Sequence, residues 1–350
     1  MLKMKKMKKI IISALLVILV GMYACKNFDI THPDFNYTTC YFANQYPVRT
    51  IILGDYIYDN SEDNAHKCQI MATMGGVYEN KTDRKLTFEV DNSLCNNLFF
   101  PNNDPIIAMP ANYYTLSNSS EMVIPKGQFI GGVEVQLSDA FFNDPLAIKN
   151  TYVIPLRLIS TNDFDSILST KDFTMYAVKY INEYDATYLY YGKGSIKKGS
   201  TILSDSTYQT TYIEMNSLVR FVTTGLKTVQ SDEISIKSPV ARNLMPGTVR
   251  LQLEFDNNSN CTVKGAGTYT NGDFTTIYKV SGTGSFISNN EDPYTSWGNK
   301  KRNTIKVNYT VVIDSTNDPK IDSQLIYSAE DNFVIQTRNV VLETYIPKSN

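Results

Sequence analysis

The pattern that most constrains this chain is a two-residue alternation, repeated in short bursts. Leu86, Phe88 and Val90 alternate with Thr87 and Glu89, and Val133, Val135 and Leu137 with Glu134 and Gln136. Ile154, Leu156 and Leu158 repeat the pattern, although Pro155, which cannot donate to a ladder, places that segment at an edge or a bulge. In the later half, Val249, Leu251, Leu253 and Phe255 alternate with Arg250, Gln252 and Glu254, and Ile305, Val307, Tyr309 and Val311 with Lys306, Asn308 and Thr310. Successive side chains of a strand point to opposite faces, so this spacing predicts strands with one buried face. Gly265-Ala266-Gly267, Asn271-Gly272-Asp273 and Gly282-Thr283-Gly284 supply hairpin or bulge chemistry between them. No long segment sustains a helical period, and the stretch from Leu94 to Pro110 reads as a loop. The expected fold class is all-β.

The first 25 residues read as an address. Five lysines and no acid precede an apolar run from Ile10 to Val20, broken only by Ser13, and Gly21-Met22-Tyr23-Ala24-Cys25 follows. A basic segment, a short apolar segment and a small residue before a cleavage point are the parts of a secretory signal peptide. The run is too short for a comfortable span, which takes about 20 residues. Cys25 after Ala24 has the lipobox arrangement of bacterial lipoproteins, with Tyr23 bulkier than the usual residue there. Acylation at Cys25 would tether the chain to a membrane without spanning it. Without residues 1–24 the chain keeps 28 basic and 35 acidic side chains, a net of −7, which argues against docking on anionic lipid.

The remaining length suggests two domains. Residues 25–36 are polar and contain Pro33, suiting a tether, and a break falls at Asn182-Glu183-Tyr184-Asp185. The expected units are 37–182 and 183–350, each of a size for a sandwich or a barrel. Cys40, Cys68, Cys95 and Cys261 match no disulfide framework; a bond among the first three and buried free thiols both remain open, the thiols being the plainer reading.

Composition excludes more chemistry than it proposes. An apolar fraction of 42% rules out wholesale disorder, and a net charge of −2 without a basic block beyond the N-terminus makes a nucleic-acid partner unexpected. His32 and His66 cannot make a three-histidine zinc site, so neither a metal nor a cofactor is expected. There is no nucleophile elbow, zincin motif or P-loop. Glycoside hydrolysis requires two carboxylates about 5 to 10 Å apart. Asp163-Phe164-Asp165 and Asp232-Glu233 instead read as solvated loop carboxylates, and Asp256-Asn257-Asn258-Ser259-Asn260 as an asparagine-rich turn lacking the glycine and glutamate of a calcium loop. The chain is therefore not expected to be an enzyme.

Several segments of the first domain resemble a known family: Ala72–Asn80 (ATMGGVYEN), Pro110–Leu116 (PANYYTL), Ile124–Gly127 (IPKG), Tyr152–Arg157 (YVIPLR) and Tyr176–Asn182 (YAVKYIN). Together they resemble the immunoglobulin-like N-terminal domain of Bacteroidetes surface lipoproteins encoded in polysaccharide-utilisation loci, a domain also found before some glycoside hydrolases. The resemblance covers roughly residues 36–182. It implies an immunoglobulin-like β-sandwich followed by a lipocalin-like antiparallel β-barrel or sandwich, placed at the outer membrane or cell surface, with glycan capture as the role. It transfers no catalytic residue, because these motifs are turn devices.

Carbohydrate binding asks for an aromatic ring under the apolar face of a pyranose and for amide or charged groups at its hydroxyls. That mixture occurs from Asn289 to Asn299, where Tyr294, the sole tryptophan Trp297 and Asn299 lie on a polar, proline- and glycine-punctuated loop. Trp297 is read either as a ligand platform or as a plug for the barrel end. Tyr188, Tyr190 and Tyr191 form a second set, Tyr188 and Tyr190 sharing a strand face, from which Tyr190 joins the glycan-binding candidates. Tyr113 and Tyr114 favour packing. The expected protein is a lipid-anchored, non-catalytic accessory binder of a polysaccharide or oligosaccharide. It would touch the membrane only through its anchor and would work beside an outer-membrane transporter complex. The alternative is a fimbrial or adhesin-type structural subunit assembled by strand donation.

Overall fold

The computed structural model describes residues 35–237, 244–298, 300–338 and 340–349. Cys25, the expected lipidation site, and Asn299, one of the glycan-binding candidates, lie outside them, as does the signal peptide. No helix among the described residues is long and apolar enough to cross a membrane.

The first half is built from β1 (Thr39–Tyr41), β2 (Pro47–Ile52), β3 (Lys67–Gly75), β4 (Arg84–Val90), β5 (Leu98–Phe99) and β6 (Ile107–Ala108). It continues with β7 (Tyr114–Leu116), β8 (Glu121–Ile124), β9 (Ile130–Leu137), β10 (Tyr152–Ser160), β11 (Ser166–Ile167) and β12 (Phe173–Ile181). Two one-turn helices, α1 (Ser61–Asn64) and α2 (Asp139–Phe142), interrupt them. The strands run in the order β11-β1-β3-β9-β8-β4-β10-β12-β2. A single residue pair, Val123 with Gly132, joins β8 to β9, and there the sheet folds over on itself into a sandwich. The alternating positions meet in its core: Ile70, Ala72 and Met74 with Val133, Val135 and Leu137, against Leu86, Phe88, Leu156, Leu158 and Tyr180.

Pro155 lies inside β10, between β4 and β12, one residue beyond the last β4 pair, Leu156 with Val90. Its carbonyl accepts from Asp91 N at 3.0 Å, and its missing donor faces the same side, past the end of the ladder. Both faces of β10 are buried. The second is covered by the stretch 94–110, whose Cys95, Phe100 and Ile106 pack on Val153, Met175 and Ala177. That stretch thus carries short elements and serves as a lid on the sheet.

The second half is an antiparallel barrel of eight strands: β13 (Ala186–Lys198), β15 (Ser217–Gly225), β16 (Thr228–Ser231), β18 (Thr248–Phe255), β19 (Asn260–Asn271), β20 (Phe274–Asn290), β21 (Arg302–Thr316) and β22 (Leu325–Thr337). It closes where β22 pairs with β13 along residues 187–198. β14 (Thr201–Tyr208) flanks the later part of β13, and β17 (Ile234–Ser235) pairs with β18. The chain then returns to the sandwich: β23 (Glu343–Thr344) pairs with β2, β24 (Lys348–Ser349) with β5, and Tyr345 enters the second sandwich core, donating to Met175 O at 2.9 Å. Residues 343–349 therefore pack with the first half.

All four described cysteines are buried free thiols. Burial pushes Cys40 and Cys95 up to about 11 and Cys68 and Cys261 up to about 12, which keeps them protonated and unreactive.

Candidate functional site

The junction between the halves is stapled rather than loose. Asn182 is buried; its side-chain amide donates to Gly225 O and Thr228 O, both at 2.9 Å, and its N–H to Thr223 Oγ1 at 3.0 Å. Asp185 accepts from the N–H and hydroxyl of Thr223 and from Arg220. Arg338, at the end of β22, is buried, and its guanidinium donates to the carbonyls of Asn182, Asp185, Leu53 and Asp55. One cation thus ties the barrel, the connector and the loop 53–60 of the sandwich together.

That loop is rigid at its base and open at its tip. Asn60 Nδ2 donates to Ile52 O and Gly54 O, both at 2.7 Å, and Gly54 N donates to Asn64 Oδ1 at 2.8 Å. Gly54 has φ +80°, and a Cβ there would meet Glu183 Cβ at 2.3 Å, so glycine is required where the loop passes the connector. Beyond it Ile57 and Tyr58 are 78% and 70% exposed, with Tyr56 edge-on to Tyr58 at 5.8 Å.

Facing the tip across a cleft of about 450 Å³ are Asn289, Lys300, Lys301, Arg302 and Asn303 of the barrel, with Gln336 beside them. Asn303 Nδ2 donates to Asp55 Oδ2 at 3.2 Å across the opening. Lys301 pairs with Glu291, whereas Lys300 is exposed without an ionic partner among the described residues. An exposed ring and a half-buried one on one wall, with amide and cationic donors on the other, are the equipment of a site for a polar ligand with an apolar face.

The loop residues singled out from sequence lie beside this cleft, on the outer wall of the barrel. Tyr294 and Trp297 are half-buried against Leu189, Tyr191, Ile213 and Val334. Tyr294 Oη donates to Thr210 O at 2.7 Å and accepts from Asn216 Nδ2 at 2.8 Å, and its ring meets Tyr191 edge-on at 4.8 Å. Arg302 lies over the Trp297 indole, 4.1 Å from the ring centre. Trp297 is thus neither an open platform nor a plug of the barrel end; it packs on the wall and supports a cleft residue.

Tyr190 lies elsewhere. It is 4% exposed in the barrel interior, stacked on Phe333 at 5.3 Å, so the structure does not bring it together with Trp297 and Tyr294. Near it Asp331, 1% exposed, accepts from Tyr208 Oη and, at 2.8 Å, from Tyr309 Oη. Gly192 and Gly194 make the room: a Cβ on them would meet Asp331 Oδ1 at 2.4 Å and Tyr327 Oη at 2.3 Å. Burial pushes the Asp331 carboxyl up to about 7, against the lowering effect of the two tyrosine hydrogen bonds.

The acidic runs serve local structure. Asp165 accepts from Thr38 N at 2.6 Å, Asp163 from Lys85 N at 2.7 Å, and Asp256 Oδ1 from the N–H groups of Asn258 and Asn260. Tyr113 and Tyr152 both donate to Asp144 Oδ2, at 2.7 and 2.6 Å, within the packed sandwich. Among the described residues no three histidine, cysteine or acidic side chains cluster as a metal site.

A larger trough of about 890 Å³ runs over the outer face of β14, β13, β22, β21 and β20. Ser195, Ser328, Thr310 and Ser281 lie opposite one another along its middle row. Hydroxyls line it, but no exposed ring does, so it lacks the apolar half of the cleft's equipment.

Sandwich, barrel and shared cleft define a two-domain, all-β protein. A family model for an N-terminal domain matches residues 35–165, and one for a domain of unknown function, DUF5627, matches residues 183–339. The crystal structure of a Bacteroides ovatus protein of unknown function is 33% identical, with a TM-score of 0.75, over 90% of this chain and 100% of that one. The chain belongs to the same family as that protein. A second Bacteroides ovatus protein of unknown function is 12% identical, covering 86% of this chain and 94% of its own, with a TM-score of 0.38. An auxiliary nutrient binding protein from Bacteroides thetaiotaomicron is also 12% identical, covering 85% of this chain and 95% of its own, with a TM-score of 0.34. Likeness at those two levels says nothing of function. Among curated proteins none matches.

Sequence reasoning missed Tyr56, Tyr58, Lys300 and Arg302. A signal was present in Gly54-Asp55-Tyr56-Ile57-Tyr58-Asp59-Asn60, where three large apolar residues sit between turn formers, too few for a buried strand.

Proposed function

We propose that this chain is a lipid-anchored, non-catalytic accessory protein of the outer membrane that captures glycans for a polysaccharide uptake system. The cleft between sandwich and barrel is its binding site. The observation that carries this reading is the pairing of two rings, the half-buried Tyr56 and the exposed Tyr58, with the donors Asn289, Lys300, Arg302 and Gln336 across one opening. A sugar ring packs its C–H face on tyrosine while its hydroxyls reach the donors. Asp55 is the sole carboxylate among the described lining residues, whereas hydrolysis of a glycosidic bond takes two, which supports capture without cleavage. Acylation at Cys25 would hold many copies at one surface, and that density converts weak single-site binding into avidity.

Binding of the intact chain to a glycan panel, by affinity electrophoresis and calorimetry, tests this. Retention of at least one glycan by the native protein and its loss in Tyr56→Ala/Tyr58→Ala is expected. Failure to retain any glycan, or release of reducing sugar from one, would sink the proposal. The alternative of a structural subunit assembled by strand donation finds support in β14, which ends the barrel sheet and exposes Ile202 and Leu203. Concentration-dependent polymers in solution would favour it.

A further inference from the structure

The cleft is a basic site on an acidic protein. Among the described residues its lining holds Lys300, Lys301, Arg302 and Arg338 against the single carboxylate of Asp55, on a chain whose net charge is −2. These four cations are not equivalent. Arg338 is spent on backbone carbonyls, and Lys301 is matched by Glu291. Lys300 and Arg302 remain, neither in an ion pair among the described residues.

Arg302 is held in place without being neutralised. Trp297 lies under its guanidinium at 4.1 Å, its Nη2 reaches only Trp297 O at 3.5 Å, and its buried Nε has no acceptor among the described residues. A buried donor without an acceptor is costly, and stacking on an indole fixes the plane of a guanidinium while leaving its charge and edge N–H groups unspent. A rigid, unpaired guanidinium beside a free ammonium matches the fork of a carboxylate or the oxygens of a sulfate. Field lines concentrated in a cleft raise the local concentration of such an anion.

We propose, resting on the glycan-capture reading, that the cleft selects acidic glycans. The sugar ring lies against Tyr56 and Tyr58, and its carboxylate or sulfate ester is held by Arg302 and Lys300. Trp297 is then a positioning residue that acts through Arg302.

The test uses the intact chain against matched polymers: polygalacturonate and its carboxyl-reduced form, and dextran sulfate and plain dextran. Binding at least about tenfold tighter to one acidic member than to its neutral counterpart, weakening as salt rises, is expected. Uronate and sulfate are told apart by which pair shows the difference. Lys300→Gln and Arg302→Gln should each cost about tenfold on the acidic polymer and leave the melting temperature of the Lys300 variant unchanged. Emission from Trp297, the sole tryptophan, should shift on binding, because the cation over its indole becomes paired. Equal affinity for acidic and neutral members, without salt dependence, would overturn the acidic selectivity and leave glycan capture standing. Acidic binding untouched by both substitutions would overturn it as diffuse polyanion adsorption. Binding to no polymer here and none in the wider panel would remove both readings.

Discussion

Tyr190 and Tyr191 are neighbours in β13, and the wall they share separates two opposite uses of aromatic rings. On the inside, Tyr190 stacks on Phe333 beside one buried carboxyl, Asp331, which accepts from the hydroxyls of Tyr208 and Tyr309. On the outside, Tyr191 lies under Tyr294 and Trp297, an apolar patch in which the Tyr294 hydroxyl donates to the Thr210 carbonyl and accepts from the Asn216 amide. The inner set trades ring area for a polar network centred on Asp331, while the buried hydroxyl of Tyr190 has no hydrogen-bond partner among the described residues, a cost the surrounding packing must offset. The outer set trades ring exposure for rigidity beside the cleft. Neither set offers a bare ring face, whereas Tyr58 of the other domain is exposed at the cleft with Tyr56 edge-on beside it.

The sharpest way to break this contrast is at the inner network. Asp331→Ala strands two tyrosine hydroxyls in the core and leaves a cavity, with an expected loss of about 4 kcal/mol by urea denaturation. Asp331→Asn, which keeps an acceptor and adds a donor, should cost far less. If the alanine variant were as stable as the asparagine variant, the network would be ornamental. At the outer patch, Trp297→Ala removes a half-buried ring and should cost about 2 kcal/mol, followed by circular dichroism because the variant has no tryptophan. A neutral result there would mean that the indole touches the wall without holding the loop.

The two sets also differ toward pH. The folded Asp331 carboxyl is raised to about 7 from its ordinary value of 3.8. Below pH 4 it is protonated in the folded and unfolded chains alike and costs nothing. Between 4 and 7 the unfolded chain gives up the proton that the fold retains, so this group's contribution falls as pH rises. The slope is at most about 1.4 kcal/mol per pH unit, and the loss is complete above pH 7. The difference in unfolding free energy between the native protein and Asp331→Asn, measured from pH 4 to 8, should carry that slope. A flat difference would mean that the carboxyl is ionised throughout. Trp297→Ala should leave the pH profile parallel to that of the native chain.

Much of this was legible in the sequence, and the gaps have physical reasons. Alternation in 86–90, 133–137, 249–255 and 305–311 predicted the strands and, except at Val90, which is exposed at the end of β4, their inward faces, because each has one wet side. It also put Tyr188 and Tyr190 on one face. It could not show that Leu189, Tyr191 and Val334 make the opposite face apolar too, and that second patch is what draws Trp297 and Tyr294 down. Pairing of Glu343–Thr344 with β2 spans nearly the whole chain and leaves no local mark. The cleft was hidden for the same reason, since its walls lie more than two hundred residues apart in sequence.

The smallest expected change in stability belongs to the rings that remain outside both sets. Tyr56 and Tyr58 touch each other at the tip of a loop whose base is held by Asn60, Asn64 and Arg338, so truncating them removes no support for the fold. Tyr56→Ala/Tyr58→Ala should therefore unfold within about 0.5 kcal/mol of the native chain. The same change should weaken glycan binding by at least about tenfold, since each stacked ring is worth roughly 1 kcal/mol. Trp297→Ala should show the reverse order, with a clear loss of stability and a smaller loss of binding transmitted through Arg302. Equal losses of binding in the two variants would place the sugar over the outer patch, and an unchanged affinity in the tyrosine variant would take the ligand out of the cleft altogether.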